Sequence, residues 1–403
     1  MSETATAVVR PRPGVRAWPL YVGGFLGPYA STMVTPMVQE VAEGLRSTPE
    51  LAAVAVTAYM LPFAALMLVS GTLAERWGRA RTMRVSLLAF VLACALCTLA
   101  PDIGWFLAAR ALQGATNAFT TPLLVAAITD LVPRARLGRA LGLFAGMQAA
   151  GQAASPLVSG PSAVLDWRLA FVFPAGVAVA LALFSPTMTA HDRPAGPPSV
   201  RALANRNLAV ACALSFLCYL AAVGLTVLSI LRAEEDFGLG PWQRGLLAAA
   251  FGVAGLAAAP LLGRRLDAIG PRRTGVLMNL LLAAGLVTAA FGSGVVLLGA
   301  GIAAVGIAVT GLRTTINSIA TTSTDTNRAG AVSLALSFQF FGGALAPLVW
   351  VPLHAAHGAV GFAATAAAPL AALLLLGLVR SDRPYRGGGH GARRRGHRAD
   401  VVS

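Results

Sequence analysis

Twelve apolar stretches of about 20 residues run along almost all of this 403-residue chain, each long enough to cross a hydrocarbon core. They fall near 19–39, 51–73, 82–100, 104–129, 138–160, 168–188, 206–231, 244–263, 274–292, 295–321, 328–352 and 358–379, with edges good to about 3 residues. Such a core offers almost no water to a backbone N–H or C=O, so each stretch is predicted to be a helix. Hydrophobic residues make up 56% of the chain and charged residues 12%, with a mean hydropathy of +0.71. A soluble domain carries about 25% charged residues, so a soluble fold is excluded. Alanine and glycine fill the stretches and suit close helix packing, with Gly142 and Gly146 at a GxxxG spacing.

The formal net charge of +15 resembles a nucleic-acid signal until its placement is read. With the N-terminus inside and loops assigned alternately, inside segments hold 25 arginines and 8 acids, and outside loops hold 4 arginines and 8 acids. Arg110 and Arg313 are left within helices, and there is no lysine. This bias places both termini in the cytoplasm of a multi-pass inner-membrane protein, with the bilayer as partner and no nucleic acid. Trp18, Trp105, Trp167, Trp242 and Trp350 stand at predicted helix ends, as interfacial anchors do. Cys94 and Cys97 form a CxxC inside an apolar span with no second pair, so no metal site is expected, and Cys212 and Cys218 read as small apolar filler. No cleavable signal peptide is evident.

The chain is duplicated. GTLAERWGRAR (Gly71 to Arg81) and GRRLDAIGPRR (Gly263 to Arg273) share one order: a glycine, a carboxylate four residues on (Glu75, Asp267), a second glycine (Gly78, Gly270), then arginines. GMQAAGQAASPLV from Gly146 matches SFQFFGGALAPLV from Ser337 at an offset of 191, pairing Gln148 with Gln339 and Pro156 with Pro347. The predicted organisation is a cytoplasmic N-terminal segment (1–17), a six-helix bundle (18–190), a Pro- and Arg-rich cytoplasmic linker (191–206), a second bundle (207–380) and a disordered basic tail (381–403) near the anionic leaflet.

The charged loop, its echo and the twelve-span duplicated plan resemble the major facilitator superfamily over about residues 18–380. The resemblance implies an all-α membrane protein, with twelve transmembrane helices in two pseudo-symmetric six-helix bundles around a midplane site. The first loop is similar to the family's G-x-L-a-D-r-x-G-r-r signature, with Glu75 for the usual Asp. The second departs from it at Arg265 and Pro271. RALQGATNA from Arg110 resembles the R-x-x-q-G segment of the drug and metabolite efflux branches. SPLVSG from Ser155 resembles their G-P-x-x-G-G antiporter motif, with Ser155 and Ser159 replacing glycines.

Gly71, Glu75, Gly78, Arg79 and Arg81, with their echo Asp267, Gly270, Arg272 and Arg273, are predicted to form a cytoplasmic gate. A carboxylate ending the second span can pair with nearby arginines and face the positive N-terminal end of a helix in the other half. The resemblance makes that partner the eleventh span, adds Asp130 to the network and puts Asp325 with the second copy. A plain solvated basic loop is the alternative.

Arg110, Gln113, Asn117 and Thr121 form one polar stripe on the fourth span, which suits a wet cavity or the bundle interior. An arginine at a helix centre costs about 2.5–3.5 kcal/mol on insertion scales, although Arg110 could also snorkel to the surface. Arg313 shares a face with Asn317 and Thr310. Further cavity candidates are Thr32, Thr35, Gln148, Gln152, Tyr219 and Gln339, with interhelical hydrogen bonding as the alternative. Pro156 and Pro347 are candidate hinges. All carboxylates fall outside the predicted helix centres, which favours a neutral or anionic amphiphile as substrate and leaves the coupling ion open. No cofactor is expected, and the proton as coupling ion comes from the resemblance alone.

The reading is a secondary transporter, acting as a monomer, that exports a small drug-like or metabolite molecule by alternating access, and not an enzyme. No phosphate-binding GxxxxGK[ST] occurs, and His191, His354, His357, His390 and His397 all fall in predicted loops or the tail. The alternatives are an importer or uniporter of a nutrient, and a receptor that binds without transport.

Overall fold

The computed structural model describes residues 18–132, 134–184, 204–324 and 328–378. The expected N-terminal segment, most of the linker and the basic tail lie outside the described residues. Every regular element among the described residues is a helix.

The first span is α1 (Trp18–Thr32), a 3-10 turn at Thr35–Met37 and the short α2 (Val38–Gly44). Pro36 has no N–H to give the carbonyl of Thr32, so the helix breaks where the sequence places a bend. Then come α3 (Pro49–Trp77), α4 (Arg79–Thr98), α5 (Ile103–Leu131) and α6 (Arg134–Leu165). The sixth span is a 3-10 turn at Trp167–Phe171 followed by α7 (Val172–Phe184). In the second half, α8 (Arg206–Glu235) precedes α9 (Pro241–Phe291), which contains the eighth and ninth spans. After α10 (Val295–Thr322), α11 (Arg328–Ala363) and α12 (Ala367–Leu376) carry the last two spans, with Gly358 (φ 55°) turning the chain between them. Three of the long helices start on side-chain caps: Thr48 accepts from Leu51 N–H, Asp102 from Trp105 N–H and Asn205 from Leu208 N–H.

The two charged loops are tighter than expected. Each reduces to one glycine between helices, Gly78 (φ 87°) after α3 and Gly270 (φ 79°) within α9. Both angles lie where a Cβ is strained, so the second glycine of each repeat is what turns the chain. His354 and His357, expected in a loop, lie inside α11, which runs on past the predicted end of its span.

The duplication reappears as helix contacts. A Cβ on Gly114 of α5 would lie 1.9 Å from the Tyr59 carbonyl oxygen of α3, and one on Gly306 of α10 would lie 2.0 Å from that of Phe251 in α9. The same holds for Gly151 of α6 against Phe25 (2.3 Å) and Gly342 of α11 against Phe216 (2.1 Å). These four glycines let backbones touch, as small residues do between membrane helices. The GxxxG expectation pointed elsewhere: Gly146 has nothing within 4 Å, and the surroundings of Gly142 lie outside the described side chains.

Two expected interfacial anchors are interior residues instead. Trp167 is buried against Phe106 and Phe171, and Trp350 donates its Nε1–H to the Leu220 carbonyl at 2.9 Å. The Trp350 N–H has an internal partner, that of Trp167 is buried without one among the described residues, and Trp18, Trp105 and Trp242 remain exposed at helix ends.

Candidate substrate cavity

The two six-helix bundles meet along two seams, α3 on α11 and α6 on α9. On the first, Thr57 donates to the Ala344 carbonyl at 2.6 Å, and Phe63 meets Phe340 edge-on at 4.4 Å between centroids. On the second, a Cβ on Gly245 would lie 2.5 Å from the Pro156 carbonyl oxygen, and one on Gly252 would lie 2.7 Å from Ala153 Cα. At the end of this seam Arg244, almost fully buried, pairs with Glu40 of α2 and Glu234 of α8. Arg244 therefore ties the halves together through a carboxylate from each. All these contacts fall in the part of the bundle away from the ends that carry Trp18 and Leu378. On the termini side, Gly71 has nothing within 4 Å, and Leu68, Val69 and Trp77 are exposed. The molecule is closed on the face away from the termini.

A cavity lies between the halves above the closed seam. The first half contributes Ser31, Thr32 and Thr35 where the first span breaks, Met60 from α3, and Gln152 and Pro156 from α6. The second half contributes Tyr219, Val223 and Thr226 of α8, Phe251 of α9, Arg313 of α10 and Phe340 of α11. Its wall is apolar and aromatic with a few convergent polar groups, the usual make-up of a small-molecule site. The guanidinium of Arg313 donates to Tyr219 Oη and is the cationic side chain in the wall; no carboxylate is among the lining residues.

Of the candidates from the sequence, Thr32, Thr35, Gln152, Tyr219 and Arg313 come together here. Arg110 does not. It is 0% exposed between α1, α3 and α5, donating to the carbonyls of Ala30 (3.0 Å) and Ala55 (3.5 Å) and to Gln113 Oε1. Its guanidinium lies 4.6 Å from the Tyr59 ring centroid. Gln113 passes its own N–H to Cys94 Sγ at 3.1 Å, and Asn117 donates to Tyr59 Oη at 2.6 Å. The stripe on α5 thus faces neighbouring helices rather than the cavity, because α1 and α3 present carbonyls and a ring to it. Gln148, Asn317 and Gln339 are not among the lining residues either. The backbone stays helical at Pro156 and Pro347; in α11 the residue that leaves helical geometry is Gly358.

For the predicted gate, Gly78 and Gly270 are the turns, Arg81 borders a surface groove beside Trp77, and Arg272 and Arg273 are exposed. Arg79 starts α4. The side chains of Glu75, Asp130 and Asp267, and all of Asp325, lie outside the described residues.

Sequence reasoning missed the opposite closure, Glu40, Glu234 and Arg244. A signal existed: Arg168, Arg232 and Arg244 are outside arginines that defy the charge bias. Each is held by the fold. Arg168 donates to the carbonyls of Thr98 (3.0 Å) and Ala100 (3.2 Å), closing the end of α4. Arg232 donates to those of Ala289 and Gly292 and to Asp236.

The fold and its inter-half cavity define a multi-span membrane protein of two related bundles. The family model described as Major Facilitator Superfamily matches residues 20–232 and 211–401, and the chain belongs to that family of membrane transporters. A puromycin resistance protein of Streptomyces alboniger is 37% identical over 143 residues, covering 35% of this chain and 28% of the relative. A chloramphenicol efflux pump of Mycobacterium tuberculosis is 28% identical over 275 residues, covering 66% of each. The chain thus spans under two thirds of the length of either relative. Among solved structures, a bacterial homolog of the human lysosomal transporter Spinster, inward-facing and occupied, superposes with a TM-score of 0.71 at 16% identity, over 90% of this chain and 95% of that one. A nucleoside transporter superposes with a TM-score of 0.73 at 13% identity, over 90% and 99%. At such identities the likeness shows the fold alone.

Proposed function

We propose that the chain is a secondary transporter that exports a small drug-like or metabolite molecule, neutral or anionic, by alternating access, with protons moving the other way. The observation that carries this is the cavity between the halves, with every inter-half contact described above confined to one side of it. Two bundles held at one end can rock about a fixed central site. The surplus of arginines on the termini side supports an inner-membrane protein with both termini in the cytoplasm, and the closed face is then the outer one. Export and the drug-like substrate class are supported by the resistance and efflux names of the relatives. Pseudo-symmetric Gly78 and Gly270 turns support a gate on the termini side.

The test is purified protein in proteoliposomes with a pH dye inside and a preset pH gradient. The compounds added in turn are chloramphenicol, puromycin, and neutral, anionic and cationic amphiphiles. Proton movement triggered by a compound that is itself transported is the expected result. Compound flux with a flat pH trace refutes proton coupling, and binding of a compound without any flux favours a receptor.

A further inference from the structure

We propose that Arg313 and the Tyr219 hydroxyl form an anion-binding point in the cavity wall, and that its ligand is a small organic acid, a carboxylate on an aromatic or otherwise apolar body. This rests on reading the cavity as the substrate site.

The other arginines enclosed by the helices each have at least two protein acceptors. Arg110 has two carbonyls and Gln113 Oε1; Arg168 and Arg232 each have two carbonyls and an aspartate; Arg244 has two glutamates. Arg313 is different. Among the described residues its one hydrogen-bond partner is Tyr219 Oη and no carboxylate lies within ion-pair distance; its Nε is buried without a partner, as is that of Arg244, but Arg244 has two carboxylates to offset its charge. A guanidinium keeps its charge and has five N–H donors, and a charge in a low-dielectric interior is costly unless paired. The unfilled donors belong to a residue of the cavity wall. Tyr219 Oη accepts from Arg313, so its own proton is free for a second acceptor. Two donors side by side match the two oxygens of a carboxylate.

The remaining wall selects the body. Phe340, with its ring centroid 6.4 Å from that of Tyr219, and Phe251, Met60 and Val223 present apolar surface beside the charge. A cationic amphiphile would meet Arg313 with no carboxylate to offset it, and a neutral one would leave the guanidinium unpaired.

The experiment is equilibrium binding of radiolabelled arylcarboxylates, from benzoate to 2-naphthoate, each against its own amide, on the purified full-length protein. Wild type binds its best acid at least about tenfold tighter than the matching amide, as expected for hydrogen bonds to a charged partner. Arg313→Gln brings acid and amide to about equal affinity, and a thermal midpoint close to that of the wild type shows that the variant is folded. Arg313→Lys keeps a preference for the acid, and Tyr219→Phe weakens it. If no acid in the series binds better than its amide, or if Arg313→Gln leaves the preference intact, the assignment is overturned. The same assay in phosphatidylcholine nanodiscs with and without phosphatidylglycerol separates the sources of the anion. Loss of acid binding on adding phosphatidylglycerol identifies a lipid headgroup and overturns the soluble-acid assignment. Arg313-dependent acid binding without flux in proteoliposomes would remove the transport reading and leave this one standing. Flux of an amide with no acid preference would do the reverse.

Discussion

Arg110 and Arg313 both stand in apolar helices, and their surroundings give them different work. Arg110 is enclosed by acceptors from three helices, so its removal orphans Gln113 and a carbonyl where α1 breaks. An unsatisfied buried polar group costs about 1–3 kcal/mol. Arg110→Ala is therefore expected to lower the thermal midpoint in detergent by several degrees, whereas Arg313→Gln, which strips only Tyr219 of a partner, moves it little. Equal shifts for the two variants would contradict this division. Hydropathy and spacing marked both residues as unusual. They could not say which had partners, because carbonyls of distant helices decide that.

At the scale of elements, the sequence repeat becomes a repeat of helix contacts. Gly114 and Gly306 touch carbonyls on α3 and α9 at 1.9 and 2.0 Å from where a Cβ would stand. Gly114→Ala and Gly306→Ala should each destabilise the fold by about 1–3 kcal/mol, the typical cost of overpacking. The same substitution at Gly146 or Gly71, which have open space, should leave the thermal midpoint unchanged. Gly71→Ala would nevertheless slow transport if that glycine is approached as the gate forms, so a flux assay beside the melting curve separates the two roles. The twelve spans were legible because apolar length and backbone satisfaction are local properties. The GxxxG spacing misled, since a spacing does not say whether another backbone lies opposite it.

For the whole molecule, the closure away from the termini rests on Arg244 with Glu40 and Glu234, and on the close approach of Gly245 to Pro156. Removing one partner of a fully buried ion pair costs about 3–5 kcal/mol; Arg244 is buried but Glu40 and Glu234 are partly exposed, so the loss here is smaller, and part of it falls on one conformational state. Arg244→Gln combined with Gly245→Leu is expected to part this face. Spin labels at Leu51 on α3 and Val296 on α10, both exposed near that end, should then report a longer distance than in the wild type. An unchanged distance distribution would mean that the seam between α3 and α11 holds the face closed by itself.

Hydropathy, charge bias and internal repeat determined that this chain is a membrane protein of two related six-helix halves, and the motifs on the second, fourth and fifth spans pointed to its family. Those properties are carried along the chain and need no knowledge of neighbours. Tertiary structure alone decided which polar stripe faces a cavity, which face of the molecule is closed, and which arginine stands in the cavity wall without a carboxylate partner among the described residues. Each of these depends on the rotation of one helix against another, and that rotation is set by contacts between residues up to some 290 positions apart, as between Thr57 and Ala344.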